Sequence, residues 1–161
     1  MRLPRRRAAR IVLLDPDGRV LLFRLDASRD PDGRGYWYLP GGGIRPFERA
    51  EEAARRELRE ETGIRDVTLG PVIGERRDVR FTFRDRPIVQ DEWYVAGRLS
   101  VAPGAEGEGG RRRDGERGQA DAARWWRVAD LDATGETVFP PGLATLVEAA
   151  ARAMPENGRA A

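Results

Sequence analysis

An α/β fold is predicted by three observations. Short apolar runs rich in β-branched and aromatic residues read as strands, two segments carry helical composition, and Gly, Pro and Asp punctuate the intervals between them. A chain of 161 residues with 40% hydrophobic content supports one globular domain with an adequate core.

The elements follow in order. Ala8 to Leu14 reads as a buried strand, Asp15-Pro16-Asp17-Gly18 as a turn, and Val20 to Arg24 as the returning strand of a hairpin. Asp26 to Gly35 is polar and reads as a loop, leading to a short aromatic strand, Tyr36 to Leu39, and a Gly-rich turn, Pro40 to Gly43. Pro46 to Thr62 has helical composition, and Gly63 is a natural stop. Strands are expected at Val67 to Glu75, Val79 to Arg84 and Ile88 to Leu99. Ala102 to Ala120, rich in Gly, Arg and Glu without periodicity, reads as a long mobile loop. A last strand is expected at Arg124 to Val128, and an amphipathic helix at Pro140 to Met154 closes the domain. The expected organisation is a flexible basic arm over 1–7, one domain over 8–154 and a flexible tail over 155–161.

Composition excludes several chemistries. Charged residues make up 35% of the chain, yet the net charge is only +2, and every one of the 29 basic side chains is Arg. Acids and bases nearly cancel, so a nucleic-acid partner is not the favoured expectation. Without Cys there is no disulfide framework, thiol nucleophile or Cys-based zinc site, and without His no Ser-His-Asp triad or His-ligated metal. No apolar stretch approaches membrane-spanning length, and the one near the start is too short for a signal peptide, so a soluble cytoplasmic protein with no membrane partner is expected.

The helix over 46–62 carries the strongest functional signal. With Ala50 at zero and about 100° per residue, Ala53, Ala54 and Leu58 define an apolar side. Glu57 at about 340° and Glu61 at about 20° fall inside that side, with Glu60 on its flank at about 280°. Ion pairs such as Glu51 to Arg55 account for the outer face. They do not account for two inward carboxylates, which repel and are costly to desolvate unless a cation compensates. Hard divalent cations take clustered oxygen ligands, and substrate phosphates complete their shell. The helix and the glycine turn before it therefore suit metal-assisted phosphate chemistry.

Gly42, Glu48, Arg56, Glu57, Leu58, Glu60, Glu61, Gly63 and Ile64 fill every specified position of a 23-residue pattern, G-x5-E-x7-R-E-U-x-E-E-x-G-U with U bulky aliphatic. In this the chain resembles the Nudix hydrolase family. The resemblance implies an α/β/α sandwich with a mixed central sheet over about residues 8–154. It implies Glu57 and Glu61 as principal ligands of Mg²⁺ or Mn²⁺, Glu60 sharing the metal or its bound water, and the Gly41 carbonyl completing the shell. Arg56 and Glu48 would form an orienting ion pair behind these ligands. Gly42 and Gly43 would let the backbone approach metal and phosphates closely. A further acid from the loop after the motif, Glu116 ahead of Asp114 and Asp121, would act as ligand or general base.

The reaction implied is hydrolysis of a nucleoside diphosphate linked to another group X, with Glu61 or Glu116 accepting a proton. Signatures of the family's ADP-ribose, diadenosine polyphosphate, coenzyme A and NADH hydrolases are not matched; Val79 stands where the first tends to have Pro. A nucleoside triphosphate or related nucleotide is then the default substrate. Phe81, Phe83, Trp93 and Tyr94 are candidates to stack a base, and Arg80 and Arg24 to meet phosphates. Two other readings stay open: a nucleotide-binding regulator without turnover, and a hydrolase of RNA 5′ ends suggested by the Arg-rich start and Arg111 to Arg113. Family members are often dimers, so a homodimer is compatible, though no sequence feature decides it.

Overall fold

The computed structural model describes residues 2–101 and 122–155. Ten elements alternate along them: β1 (Arg5–Leu14), β2 (Val20–Leu25), β3 (Tyr36–Tyr38), β4 (Gly41–Gly43), α1 (Ala50–Thr62), β5 (Val67–Phe83), β6 (Arg86–Leu99), β7 (Ala122–Trp126), α2 (Val128–Ala133) and α3 (Leu143–Ala153). The strands form one mixed sheet of order β3-β2-β1-β6-β5, with β4 added to β1 and β7 to β2. β1 and β6 run parallel over ten residue pairs, from Arg5↔Val89 to Leu14↔Arg98, and the other ladders are antiparallel.

The second half of β1, Ile11 to Leu14, is continuously apolar because both its faces are covered. Ile11 and Leu13 face one core with Leu21, Phe23, Ala53, Ala54 and Leu58, under α1. Val12 and Leu14 face the other with Val20, Leu22, Trp126, Leu143 and Val147, under α3. This is the expected α/β/α sandwich. Among the described residues no helix is long and apolar enough to cross a membrane.

Several boundaries differ from the sequence expectation, each for a physical reason. Arg5 to Arg7, expected in a flexible arm, belong to β1. Their backbone pairs with Val89 to Asp91, and Arg5 Nη1 meets Asp91 Oδ1 at 2.7 Å while its Nη2 meets Asp78 Oδ1 at 2.6 Å. The two strands expected between 67 and 84 form one strand, bent by register shifts between Leu69 and Val72, Val72 and Gly74, and Arg76 and Val79. The helix begins at Ala50 rather than Pro46, because Phe47 adopts a left-handed φ of 65° that a helix cannot contain. It ends as expected at Gly63, whose φ of 77° lets its N–H reach the Arg59 carbonyl. α2 was not foreseen: six residues carry too little periodicity to read. The Gly-rich turn is itself a strand, β4. The expected loop over 102–120 and the last six residues lie outside the described residues.

The aromatic packing under α3 gives a direct test of this core. Trp126 is 2% exposed and stacks edge-to-face on Trp37 at 5.1 Å. Trp126→Ala should lower stability by roughly 3–5 kcal/mol, read from urea unfolding. A loss below about 1 kcal/mol would place the ring outside the core.

Candidate active site

The site is built where α1 passes β4. Gly41, Gly42 and Gly43 pair antiparallel with Arg10, Ala9 and Ala8 of β1. Only a strand without side chains fits here. A Cβ on Gly42 would lie 2.5 Å from Glu57 Oε1, and one on Gly41, where φ is 147°, would collide with the Ala9 carbonyl oxygen. The Glu57 carboxylate therefore rests directly on the Gly42 backbone.

The helix delivers its carboxylates as the phase argument requires. Glu57 is 7% exposed beside fully buried Ala53, Ala54 and Leu58, and Glu61, one turn on, is half-buried. Glu60 is exposed and faces Arg56, at 3.5 Å, and Arg45, at 3.8 Å. No group of three or more Asp or Glu side chains gathers closely enough to hold a metal ion among the described residues. Glu60, expected to share the metal or its bound water, thus stands on the flank of the helix between these two arginines.

Arg56 ties the elements together. Its Nε and Nη2 donate to Glu48 Oε2 and Oε1, both at 2.8 Å, its Nη2 also to the Gly43 carbonyl at 2.8 Å, and its Nη1 to Glu57 Oε1 at 2.7 Å. The Arg45 N–H donates to Glu48 Oε1 at 3.0 Å. One planar fork thereby fixes the loop before α1, the glycine strand and an inward carboxylate. The Arg56 guanidinium, helped by the Arg45 N–H and opposed by partial burial, holds the Glu48 carboxyl at about 2. Arg56 is raised in turn, chiefly by Glu48. The orienting pair expected from the sequence is the one the structure forms.

The donor chemistry fits a hard divalent cation: the chain offers oxygen ligands and no His or Cys, and the bare Gly42 backbone leaves room for the Glu57 carboxylate. The Gly41 carbonyl, expected to complete a metal shell, accepts a hydrogen bond from Arg10 Nη1 at 3.2 Å. A carbonyl has two lone pairs, so this contact uses only one of them.

On the other face of the sheet a cavity of about 630 Å³ opens. Phe81, Arg80 and Tyr94 line it, with Tyr36, Tyr38 and Phe139 adding an aromatic rim. Other candidates lie elsewhere. The Trp93 ring carries Arg7 and Arg77, each at 5.0 Å, Phe83 carries Arg6 and Arg84, and Arg24 faces Asp26 and Glu136. Glu116, Asp114 and Asp121 fall outside the described residues. Arg10, only 3% exposed, was missed. The available signal was a charge beside Ile11 inside a strand read as buried.

Because the folded pKa of Glu48 lies below the ordinary 4.5, its pairing stabilises the fold above that pH and is lost as pH falls toward about 2. Discounted for solvent screening, the pair contributes on the order of 2 kcal/mol. Glu48→Gln should cost about that much at pH 7, and the gap to the parent should close between pH 4.5 and about 2. Urea unfolding across pH checks this; a gap constant with pH would rule the pairing out.

A family model described as the NUDIX domain matches residues 4–154. The RNA pyrophosphohydrolase of Caulobacter vibrioides is 48% identical over 59 residues, 37% of this chain and 33% of that protein. The nucleoside triphosphatase NudI of Salmonella arizonae is 46% identical over 90 residues, 53% of this chain and 54% of that protein. The matched segments thus span about a third to a half of these curated relatives. Among solved structures, a MutT protein from Methanosarcina mazei Go1 superposes with a TM-score of 0.60 at 20% identity, covering 94% of this chain and 96% of that one. The likeness at that identity is one of fold, but the family model spans nearly the whole chain. The chain belongs to the Nudix family.

Proposed function

We propose that this protein hydrolyses a pyrophosphate bond in a nucleoside diphosphate derivative, with a nucleoside triphosphate or related nucleotide as substrate and Mg²⁺ or Mn²⁺ as the metal. The observation that carries this is the Glu57 carboxylate, buried, seated on side-chain-free Gly42 and oriented by Arg56, on a sheet whose other face holds a nucleotide-sized cavity. Family members generally use divalent metal ions, and two relatives bear names for pyrophosphate and nucleoside triphosphate hydrolysis.

Glu57 and Glu61 would hold the metal, Arg56 fixes Glu57, and Glu48 fixes Arg56. When bound, the cation supplies Lewis acidity to the phosphates and lowers the pKa of the attacking water. Glu61, or Glu116, takes the proton released as water attacks one phosphorus and the bridging P–O bond breaks to free the other phosphate group. Gly42 and Gly43 admit the phosphates to the backbone, and the aromatics around Phe81 and Tyr36 receive the base.

A second reading is favoured by the relatives named RNA pyrophosphohydrolase: the same chemistry at a triphosphorylated RNA 5′ end. A panel of nucleotides and a 5′-triphosphorylated oligonucleotide, assayed with Mg²⁺ for phosphate and pyrophosphate release, decides between these readings and a binder without turnover. Chelation should abolish turnover and added Mg²⁺ restore it.

Glu61→Gln and Glu57→Gln should each cut kcat by roughly 10²-fold or more while the thermal midpoint stays within a few degrees. Undiminished Mg²⁺-dependent turnover in both would sink the assignment.

A further inference from the structure

Arg10 is a buried charge with no part in the proton transfer or in ligating the metal. On its face of β1 it stands between Ala8 and Val12, 3% exposed. Burying a guanidinium is costly, and a well-packed apolar residue would serve stability at least as well. The carbonyl that Arg10 reaches gives it another role. Bonded and unbonded pairs alternate along an antiparallel ladder. The Ile11 N–H donates to the Pro40 carbonyl at 2.9 Å, so the next pair, Arg10 with Gly41, is unbonded and the Gly41 carbonyl points away from β1. Gly41 has no side chain and a φ of 147°, so nothing of its own restrains that peptide. Arg10 Nη1 restrains it, donating to the carbonyl at 3.2 Å.

Two guanidiniums thus bracket β4, one from each layer. Arg56 Nη2 donates to the Gly43 carbonyl and to Glu48 Oε1, both at 2.8 Å. Arg10 donates to Gly41, and its Nε lies 3.5 Å from Glu92 Oε1. Glu92 is held in turn by Gln90 Nε2 on Oε1 and the Tyr94 hydroxyl on Oε2, both at 2.7 Å. Each fork has a carboxylate behind it and a glycine carbonyl in front. The Glu92 charge offsets that of Arg10, so the pair directs the carbonyl without setting a bare positive charge beside a cation.

We propose that Arg10 is a positioning residue for the metal: by holding one lone pair of the Gly41 carbonyl, it sets the other for the cation. This rests on the metal reading above and extends it to the layer of the sheet away from α1. A peptide fixed beforehand loses no freedom when the ion arrives. Gly41 needs such a support because the close approach of β4 to β1 forbids it any side chain.

Mn²⁺ alone is titrated into the full chain without nucleotide, and the free ion is read by electron paramagnetic resonance. Glu57→Gln, run in parallel, marks the ion held beside β4. Arg10→Lys then separates positioning from a merely structural ion pair. Its ammonium keeps the charge next to Glu92 but lacks the planar fork that reaches carboxylate and carbonyl together. With a thermal midpoint matching the parent, this variant should raise the Kd for Mn²⁺ about tenfold or more. Should its midpoint fall by more than a few degrees, Tyr94→Phe decides instead. That variant removes one hydrogen bond from Glu92 and should raise the Kd about threefold. Unchanged Mn²⁺ affinity in the deciding variant overturns the proposal, as does a loss confined to kcat at saturating Mg²⁺. A parent that binds no Mn²⁺, or whose binding survives Glu57→Gln, fails the metal reading itself and the role of Arg10 with it.

Discussion

Three residues without side chains set the geometry on which the site depends. β4 can lie against β1 only because Gly41 brings no Cβ toward the Ala9 carbonyl, and α1 can close over β4 only because Gly42 brings none toward Glu57. Any larger residue would push strand or helix away by a substantial part of a van der Waals radius, in a core that packs without slack. A carboxylate on one face and arginines on the other become neighbours across a single backbone layer.

That arrangement concentrates charge in a buried place, and Arg56 makes it tolerable. A buried carboxylate without hydrogen-bond donors is strongly disfavoured. Glu57 receives one from Arg56, and Arg56 is itself neutralised by the bidentate pair with Glu48. The same fork donates to the Gly43 carbonyl, so satisfying the charges also locks the loop to the helix. Arg10 and Glu92 repeat the device in the other layer, with Gln90 and Tyr94 as supports. Electrostatics here fixes position more than it adds stability.

Much of the fold was legible because its signals are local. The hairpin of β1 and β2 follows from an Asp-Pro-Asp-Gly turn between apolar runs, and the end of α1 from Gly63. The inward direction of Glu57 follows from helical phase alone. What was misread depends on partners distant in sequence. Arg5 to Arg7 look like a solvated arm until β6 offers them a parallel edge and Asp91 a counter-charge. Gly41 to Gly43 look like a turn until β1 lies beside them.

The sequence by itself determined the family pattern, the β1–β2 hairpin, the end of α1 and which two carboxylates turn inward, because turn chemistry and spacing along one helix are properties of the chain alone. Only the tertiary structure decided that the glycines form a strand and that Arg10 is buried at its carbonyl. It also decided that Phe81 and Arg80 share a cavity while Trp93 and Phe83 hold other arginines. Those outcomes depend on sheet register, which joins residues more than thirty positions apart and leaves no mark in local composition.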